Sequence, residues 1–537
     1  MRIGIRYIVM SYTSSEYFVF LLLAVVCYYI IPKKGRWVVL LLASYAFYFY
    51  SSRKYIIFII GSVITIYLIG LWLSRIDVDF KEAKKGLDKE AKKALKAKVS
   101  RKKRLVVWLG IVLNFIPLVF LKYFNFFSYE LTRVGNYVGI GGKLPIHHFL
   151  LPLGISFYTL AAVSYISDVY RGKYAATRNP FKLALFLGFF PHIVEGPIGR
   201  FDLLGEQLYE GHSFDYARVT QGIQLMFWGL FKKLVVADRA AIFVDTVFND
   251  YTNYSGMYVV IAMLLYTLQL YAEFSGCMDI VMGSAEIFGV KLDKNFERPF
   301  ISKTVSEFWR RWHMTLGGWF RDYVFYPISL SKSFTKFSKK VKAKCSPFVA
   351  RILPAAMAMF VVWFGTGIWH GASLKYIMYG LYYYIIMVAG MLTEPLWCRL
   401  FDKLKVDRKG KVYRALQVVR TFIFVNIGML LFRTDNMGSF FHMFRSMFSN
   451  LNLSVLTDGT LLNMGIDKMD ITVIIIGLIF IIIAGVLGER GCNIREAVAG
   501  KNIVVRWILY YALVLAVLIL GAYGFNYPDI GFIYAQF

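Results

Sequence analysis

Long apolar runs recur along the whole chain and limit what it can fold into. Stretches of roughly 17–23 apolar residues, the length that spans a hydrocarbon core of about 30 Å, occur from end to end. Hydrophobic residues make up 58% of the 537 residues, above the roughly 45–50% of soluble domains. Because lipid offers the backbone no hydrogen-bond partner, each crossing is expected to be helical. The sequence predicts an all-α polytopic membrane protein, with its clearest runs at 17–31, 37–50, 55–73, 105–121, 352–368, 376–392, 418–431, 471–487 and 507–521.

The net charge of +29 would suit a nucleic-acid-binding protein, but its distribution argues against that class. Positive charge is concentrated between apolar runs, where 81–104 carries +9, 332–351 carries +7 and 399–414 carries +5. Short segments rich in Lys and Arg mark the cytoplasmic side of membrane proteins and favour anionic lipid head groups. We therefore expect membrane lipids as partners and no nucleic acid.

The basic segments also predict an orientation. The run 17–31 ends in a basic loop rather than in a small-residue cleavage site, so it is interpreted as a retained first span with its N-terminus outside. Counting onward places 81–104 in the cytoplasm as a surface helix, and 525–537 outside. Between 122 and 331 the crossings cannot be counted, and the whole chain is predicted to have about eleven to thirteen membrane segments.

Two apolar segments are interrupted by polar residues and proline. The segment 181–198 contains Pro191 and Pro197, and 308–328 contains Arg310, among other charged residues. Such segments are tolerated at membrane depth only when they are buried in protein or line a watery cavity. Both are predicted to be re-entrant or tilted helices around a central funnel.

Two histidines lie next to tryptophans in or beside these apolar segments. His313 lies in the broken segment between Trp312 and Met314, and His370 follows the apolar run 352–368. An ionisable side chain at membrane depth is costly and is by default a candidate functional site, and imidazole suits proton transfer near pH 7. The alternative is that both are packing residues at helix ends.

Other kinds of site are not indicated. The five cysteines have no paired spacing, so neither a disulfide framework nor a thiolate metal site is predicted. No nucleophile elbow, phosphate-binding loop or carboxylate pair is found. We expect no metal and no permanently bound cofactor.

Four blocks of the sequence resemble the membrane-bound O-acyltransferase family, in its bacterial branch of alginate O-acetyltransferases and teichoic-acid D-alanyl transfer proteins. The blocks are 151–158 (LPLGISFY), 189–198 (FFPHIVEGPI), 308–322 (FWRRWHMTLGGWFRD) and 369–371 (WHG). The resemblance implies a helical bundle of this family's type, formed by one domain over 1–537 with a catalytic core at 147–393. One departure, Ile328-Ser329-Leu330 after Pro327, leaves the acceptor open.

The resemblance also implies an O-acyltransferase and roles for its residues. The shared histidine of the family corresponds to His370, the expected base, and the second position to His313, an orienting or second acid–base residue. An imidazole in a dry pocket can take the proton of an attacking hydroxyl. Four further residues are expected to bind substrate, although the two arginines are as well suited to reaching the membrane interface: Trp309, Arg310, Arg311 and Trp369.

The expected function is transfer of an acyl group to an extracellular polysaccharide of the cell envelope. Acetyl is the acyl group expected. The resemblance implies a bacterial plasma membrane location, acyl-CoA or an acyl carrier protein as cytoplasmic thioester donor, and an extracellular SGNH/GDSL-like partner. Two alternatives stay open: D-alanyl transfer from a carrier protein to teichoic acids, and transport or flipping of a lipid-linked substrate. Transporters usually contain internal repeats, and no repeat is found here.

The chain ends in Phe532-Ile533-Tyr534-Ala535-Gln536-Phe537. This Phe-x-Tyr-x-x-Phe ending resembles a C-terminal motif of envelope acylation systems, in which the tyrosine is proposed to carry the acyl group outside the membrane. Tyr534 is therefore a candidate relay, since a phenol next to an imidazole can act as a nucleophile. The alternative is an aromatic anchor at the membrane interface.

Overall fold

The computed structural model describes residues 10–147, 149, 151–523 and 527, and this part of the chain contains helices but no β-strand. It divides into two compact units, one formed by the residues up to Ile223 together with Val281–Asp293, the other by Gln224–Ile280 together with the residues from Lys294 onward. Apart from short 3-10 turns, the first unit contains the following helices: α1 Ser15–Ile30, α2 Arg36–Ser52, α3 Ile56–Ala83, α4 Lys89–Tyr137, α5 Ile155–Arg171, α6 Pro180–Gly188, α7 Phe201–Glu210 and the first half of α8 Tyr216–Leu230.

The second unit carries the remaining helices and two π-helical segments, Phe231–Ala237 and Arg321–Phe325. Its α-helices follow in chain order: α9 Asp238–Asn249, α10 Met257–Ile287 (up to Ile280), α11 Val305–Arg311, α12 Met314–Phe320, α13 Tyr326–Ser329, α14 Lys332–Lys344, α15 Pro347–His370, α16 Leu374–Lys403, α17 Lys411–Arg433, α18 Met437–Ser449, α19 Lys468–Glu489, α20 Ile494–Ala499 and α21 Ile503–Leu520.

Eight helical stretches of the described chain are long and apolar enough to cross a membrane, so the prediction of an all-α polytopic membrane protein is confirmed. Seven of them contain runs predicted from hydropathy, and the stretch Lys33–Ala83 contains two such runs, in α2 and α3. The first run corresponds to α1, which has only 16 residues. The total of eleven to thirteen segments and the central funnel stay predictions.

Helix α10 is a candidate span that hydropathy did not isolate. Its apolar sequence is interrupted by carboxylates, two of which meet lysines of the segment Phe231–Ala237. The Lys232 ammonium lies 2.7 Å from Asp279, and the Lys233 ammonium lies 3.7 Å from Glu273. Pairing offsets the cost of burying these charges, and such pairing is invisible in a hydropathy profile.

The basic segment 81–104, predicted as a cytoplasmic surface helix, is divided between the end of α3, a turn and the start of α4. Helix α3 continues to Ala83, a turn follows, and α4 then runs without a break through the basic residues into the next apolar run. Gly86 adopts a φ of 76°, in the left-handed region that glycine tolerates. The Asp88 side chain accepts a hydrogen bond from the Ala91 N–H at 2.7 Å, which caps the start of α4.

The two interrupted segments do not form continuous helices, and their re-entrant or tilted course in a membrane stays a prediction. Helix α6 ends at Gly188, and the following residues up to Gly199 are buried without forming a regular helix. A Cβ at Gly154 would lie 1.9 Å from the Ile193 carbonyl oxygen, so this glycine permits close contact between the 151–158 and 189–198 blocks. The second segment consists of α11, α12, the π-helical residues and α13.

Helices α15 and α16 pack closely through a pair of glycines. A Cβ at Gly380 would lie 2.2 Å from the Trp363 carbonyl oxygen, and one at Gly367 would lie 2.5 Å from the Tyr376 carbonyl oxygen. Neither helix can move away without losing packing around His370, the last residue of α15.

We expect Gly380→Ala to destabilise the protein by about 1–2 kcal/mol. The roughly 0.5–1 kcal/mol that alanine gains over glycine in a helix is outweighed by about 1–3 kcal/mol of overpacking. The measurement is thermal unfolding of the detergent-purified protein. Gly390→Ala in the same helix is the control, because a Cβ there meets nothing within 4 Å. Equal unfolding temperatures for the two variants would contradict the prediction.

Candidate functional site

His313 links α11 to α12 and has an unusual backbone. Its φ is 48°, in the left-handed region that few residues other than glycine adopt. The preceding segment holds it there: the Met314 N–H donates to the Asn295 carbonyl oxygen at 3.0 Å, and the Glu297 N–H donates to the Arg311 carbonyl oxygen at 2.9 Å. A strained residue persists where its surroundings over-determine it, which is common at functional sites.

The His313 imidazole is buried, with 3% of the residue exposed. Its Nδ1 lies 3.2 Å from Asn295 Oδ1. Its ring packs edge-on against Phe274 of α10 at 4.9 Å and against the Trp369 ring at 5.6 Å between centroids. Residue 313 lies outside the eight candidate spans, and burial lowers the pKa of its imidazole. The ring is therefore neutral near pH 7 and able to accept a proton.

His370 ends α15 and is 4% exposed. Three aromatic rings surround it: Trp369 at 5.0 Å, Tyr379 at 5.6 Å and Phe432 at 5.3 Å between ring centroids. Since Trp369 also contacts His313, the structure brings both histidines against one indole ring. Two groups able to move protons thus lie in an apolar environment, where electrostatic interactions with a substrate are strong.

The predicted substrate-binding residues divide into two groups. The Trp369 ring contacts both histidines, and the Trp309 ring packs against Tyr379 at 6.2 Å, next to His370. The Trp309 Nε1 is buried and has no hydrogen-bond partner among the described residues, so it could donate to a bound substrate.

The arginines are placed differently. Arg310 is exposed, and Arg311 pairs with the Glu307 carboxylate at 3.1 Å and with the Glu489 carboxylate at 3.6 Å. Its charge is therefore already balanced by protein carboxylates. The assignment of a donor-binding role to Arg310 and Arg311 stays a prediction.

Tyr534 lies outside the described residues. The described chain after α21 is held near its end by Tyr527, whose hydroxyl donates to Asp470 at 2.8 Å and contacts Arg239 at 2.7 Å. Arg239 also donates to the Leu520 carbonyl oxygen at 2.9 Å. These contacts tie the start of the C-terminal segment to α9 and α19.

Sequence reasoning missed the partners of the histidines. Asn295 was a polar residue in a charged loop without a motif, and nothing marked its contact with a residue 18 positions later. Tyr379 belongs to a tyrosine-rich stretch, 376–384, which was a usable signal. Within the described part of the chain, no group of three or more His, Cys, Asp or Glu residues is arranged to hold a metal ion.

Residues 44–342 match the sequence model of the membrane-bound O-acyltransferase family. The probable alginate O-acetylase AlgI of Pseudomonas aeruginosa is 31% identical over 439 residues, 81% of this chain and 74% of that protein. The peptidoglycan O-acetyltransferase of Helicobacter pylori is 27% identical over 426 residues, 74% of this chain and 71% of that protein. The teichoic acid D-alanyltransferase of Bacillus subtilis is 28% identical over 325 residues, 60% of this chain and 76% of that protein.

Fold and similarity together define a multi-pass bacterial membrane protein of helices with a buried pair of histidines. The chain belongs to the membrane-bound O-acyltransferase family, and it is an O-acyltransferase.

We expect Trp369→Leu to lower acyl transfer by about 10- to 100-fold, because displacing a catalytic group by about 1 Å can have that effect. Leucine keeps the position apolar but removes the ring on which both histidines pack. The measurement is the rate of acyl transfer per amount of membrane-inserted protein. Trp507→Leu, at an exposed position of α21, is the control. Wild-type rates in Trp369→Leu would exclude this ring as a support of the site.

Proposed function

We propose that this enzyme takes an acetyl group from a cytoplasmic thioester and passes it across the membrane for O-acetylation of an extracellular cell-envelope polysaccharide. The observation that carries the proposal is the pair of buried imidazoles, His313 and His370, on the ring of Trp369. Similarity to an alginate O-acetylase over 81% of the chain supports acetyl transfer to a polysaccharide.

In the proposed chemistry, a hydroxyl oxygen attacks the carbonyl carbon of the acetyl thioester. His370 takes the hydroxyl proton as the carbon–oxygen bond forms, and the proton passes to the sulfur as the carbon–sulfur bond breaks, which releases a thiol. His313 serves as an orienting or second acid–base residue. The aromatic side chains of Trp369, Tyr379 and Phe432 surround His370 and exclude water that would hydrolyse the thioester.

The length of α15 supports transfer across the membrane. This helix has 24 residues, a rise of about 36 Å, and begins next to the basic helix α14. If α14 lies on the cytoplasmic side, as its positive charge favours, His370 lies toward the opposite side, where an extracellular acceptor would arrive. The donor, acetyl-CoA or an acetylated carrier protein, would then enter from the cytoplasm.

The proposal includes an extracellular partner of SGNH/GDSL-like type that completes transfer to the polymer. D-alanyl transfer to teichoic acid is a second candidate, because the named D-alanyltransferase of Bacillus subtilis aligns with 60% of the chain. Acetyl transfer is preferred because the alginate O-acetylase alignment is longer and has higher identity.

The test supplies inverted membrane vesicles with acetyl-CoA labelled in the acetyl group, or with a labelled acetyl carrier protein. Wild-type vesicles should accumulate labelled acetyl on protein or glycan. In His370→Ala the rate of this labelling should fall by at least about 100-fold, as expected for removal of a general base. His442→Ala, which alters an exposed histidine of α18, is the control. Label transferred only from a D-alanyl carrier would favour the second candidate, and full activity in His370→Ala would exclude His370 as the base.

We further propose that Tyr534 receives the acetyl group and hands it to the extracellular partner. An unperturbed tyrosine has a pKa near about 10, so its hydroxyl needs a base as it attacks the thioester, and His370 is suited to that role. The anchoring of Tyr527 to Arg239 and Asp470 supports a defined starting point for the last ten residues.

Tyr534→Phe removes one oxygen and should stop polymer acetylation while leaving membrane insertion unchanged. Phenylalanine keeps the aromatic ring, so any role as an interface anchor survives. The measurement is the acetyl content of the extracellular polymer, with Tyr511→Phe in the exposed face of α21 as the control. Wild-type acetylation in Tyr534→Phe, or an epitope tag that places the C-terminus in the cytoplasm, would be incompatible with the relay.

A further inference from the structure

Asn295 is almost fully buried, with 1% of the residue exposed, and the orientation of its amide follows from its partners. The Thr315 backbone N–H lies 3.1 Å from Oδ1, and the Thr315 hydroxyl donates to the same oxygen at 3.0 Å. A backbone N–H can only donate, so the atom facing it must be the acceptor oxygen rather than the amide nitrogen. The amide nitrogen, Nδ2, faces the Met278 sulfur at 3.3 Å, a weak acceptor.

This orientation determines which nitrogen of His313 carries the proton. The Nδ1 atom lies 3.2 Å from Asn295 Oδ1, and an amide oxygen only accepts hydrogen bonds. A hydrogen bond therefore requires the proton on Nδ1, and in the neutral ring the lone pair that can take up a proton is then on Nε2.

We propose that Asn295 is a positioning residue, which holds His313 in the Nδ1–H tautomer so that Nε2 serves as proton acceptor during acyl transfer. This inference rests on the proposed acid–base role of His313. Asn295 also accepts the Met314 N–H through its backbone carbonyl, so one residue orients both the imidazole and the strained backbone at residue 313.

The neutral character of Asn295 matters for the chemistry. The charged groups on the surrounding elements have other partners: Glu273, next to Phe274 on α10, lies 3.7 Å from Lys233, and Arg311 of α11 pairs with Glu307 and Glu489. On α15 the titratable neighbour is His370, which contacts the same Trp369 ring. An amide orients the ring without adding the negative charge that would stabilise the imidazolium.

The inference is tested by Asn295→Asp and Asn295→Leu. Aspartate keeps an oxygen in place but adds a charge that favours protonated imidazole, so the acidic limb of the rate profile should move upward by about 1–3 pH units while activity persists at high pH. Leucine removes the acceptor and should lower kcat by about 100-fold or more, with a smaller effect on KM. Asn463→Asp and Asn463→Leu, at an exposed position, are the controls and should match wild type.

A direct measurement of the tautomer does not depend on the reaction. In ring-¹⁵N-histidine protein, solid-state NMR at neutral pH should show one of the seven histidines, assigned by its loss in His313→Gln, with a protonated Nδ1 and an unprotonated Nε2. In Asn295→Leu this tautomer should no longer dominate.

The outcomes separate this inference from the proposed function. An unprotonated Nδ1 in wild-type protein, or a wild-type pH profile in Asn295→Asp together with near-wild-type kcat in Asn295→Leu, would overturn the inference. Absence of acetyl transfer by the wild-type enzyme, with the predicted tautomer observed, would instead count against the proposed function alone. If Asn295→Leu fails to insert into the membrane, the pH profile of Asn295→Asp and the NMR spectrum of the wild-type protein still test the inference.

Discussion

Hydrocarbon surroundings require this chain to pair its polar groups within itself, and both its helices and its buried charges follow from that requirement. Lys232 and Lys233 illustrate it: one meets Asp279 at 2.7 Å and the other Asp238 at 2.6 Å. Both lie on the π-helical segment Phe231–Ala237, a type of irregularity that often marks functional regions. Removing one partner of such a pair leaves an uncompensated charge, at a typical cost of about 3–5 kcal/mol.

At the histidine site, the buried polar groups are surrounded by aromatic rings and one amide instead of charged partners. His370 is enclosed by aromatic rings, and His313 has Asn295 as a neutral hydrogen-bond partner. A carboxylate beside either ring would stabilise the imidazolium, so a larger fraction of the ring would already be protonated near pH 7 and unable to take up a further proton. The close approach of α15 and α16 at Gly367 and Gly380 brings Tyr379 to His370, so helix packing and site geometry depend on the same contacts.

Much of the fold was predictable from local sequence, and some of it was not. Apolar runs at 352–368 and 376–392 correspond to α15 and α16, because hydropathy is a property of each segment alone. Helix α10 was not isolated, since the partners of its carboxylates, Lys232 and Lys233, lie 47 and 40 residues earlier in the chain. The bounds of the helix in the basic segment 81–104 were not predictable, because the Asp88 cap starts α4 inside this segment and α4 continues into the next apolar run.

The sequence by itself determined the class of fold, the charge distribution that favours one orientation, and the two histidines as candidate site residues. Hydropathy, charge and short motifs suffice for these, because each is read within a few residues. Only the tertiary structure decided that Trp369 contacts both histidines, that Arg311 pairs with carboxylates, and that Asn295 is the hydrogen-bond partner of His313. These contacts join residues far apart in the chain, and the packing of several helices at once determines them.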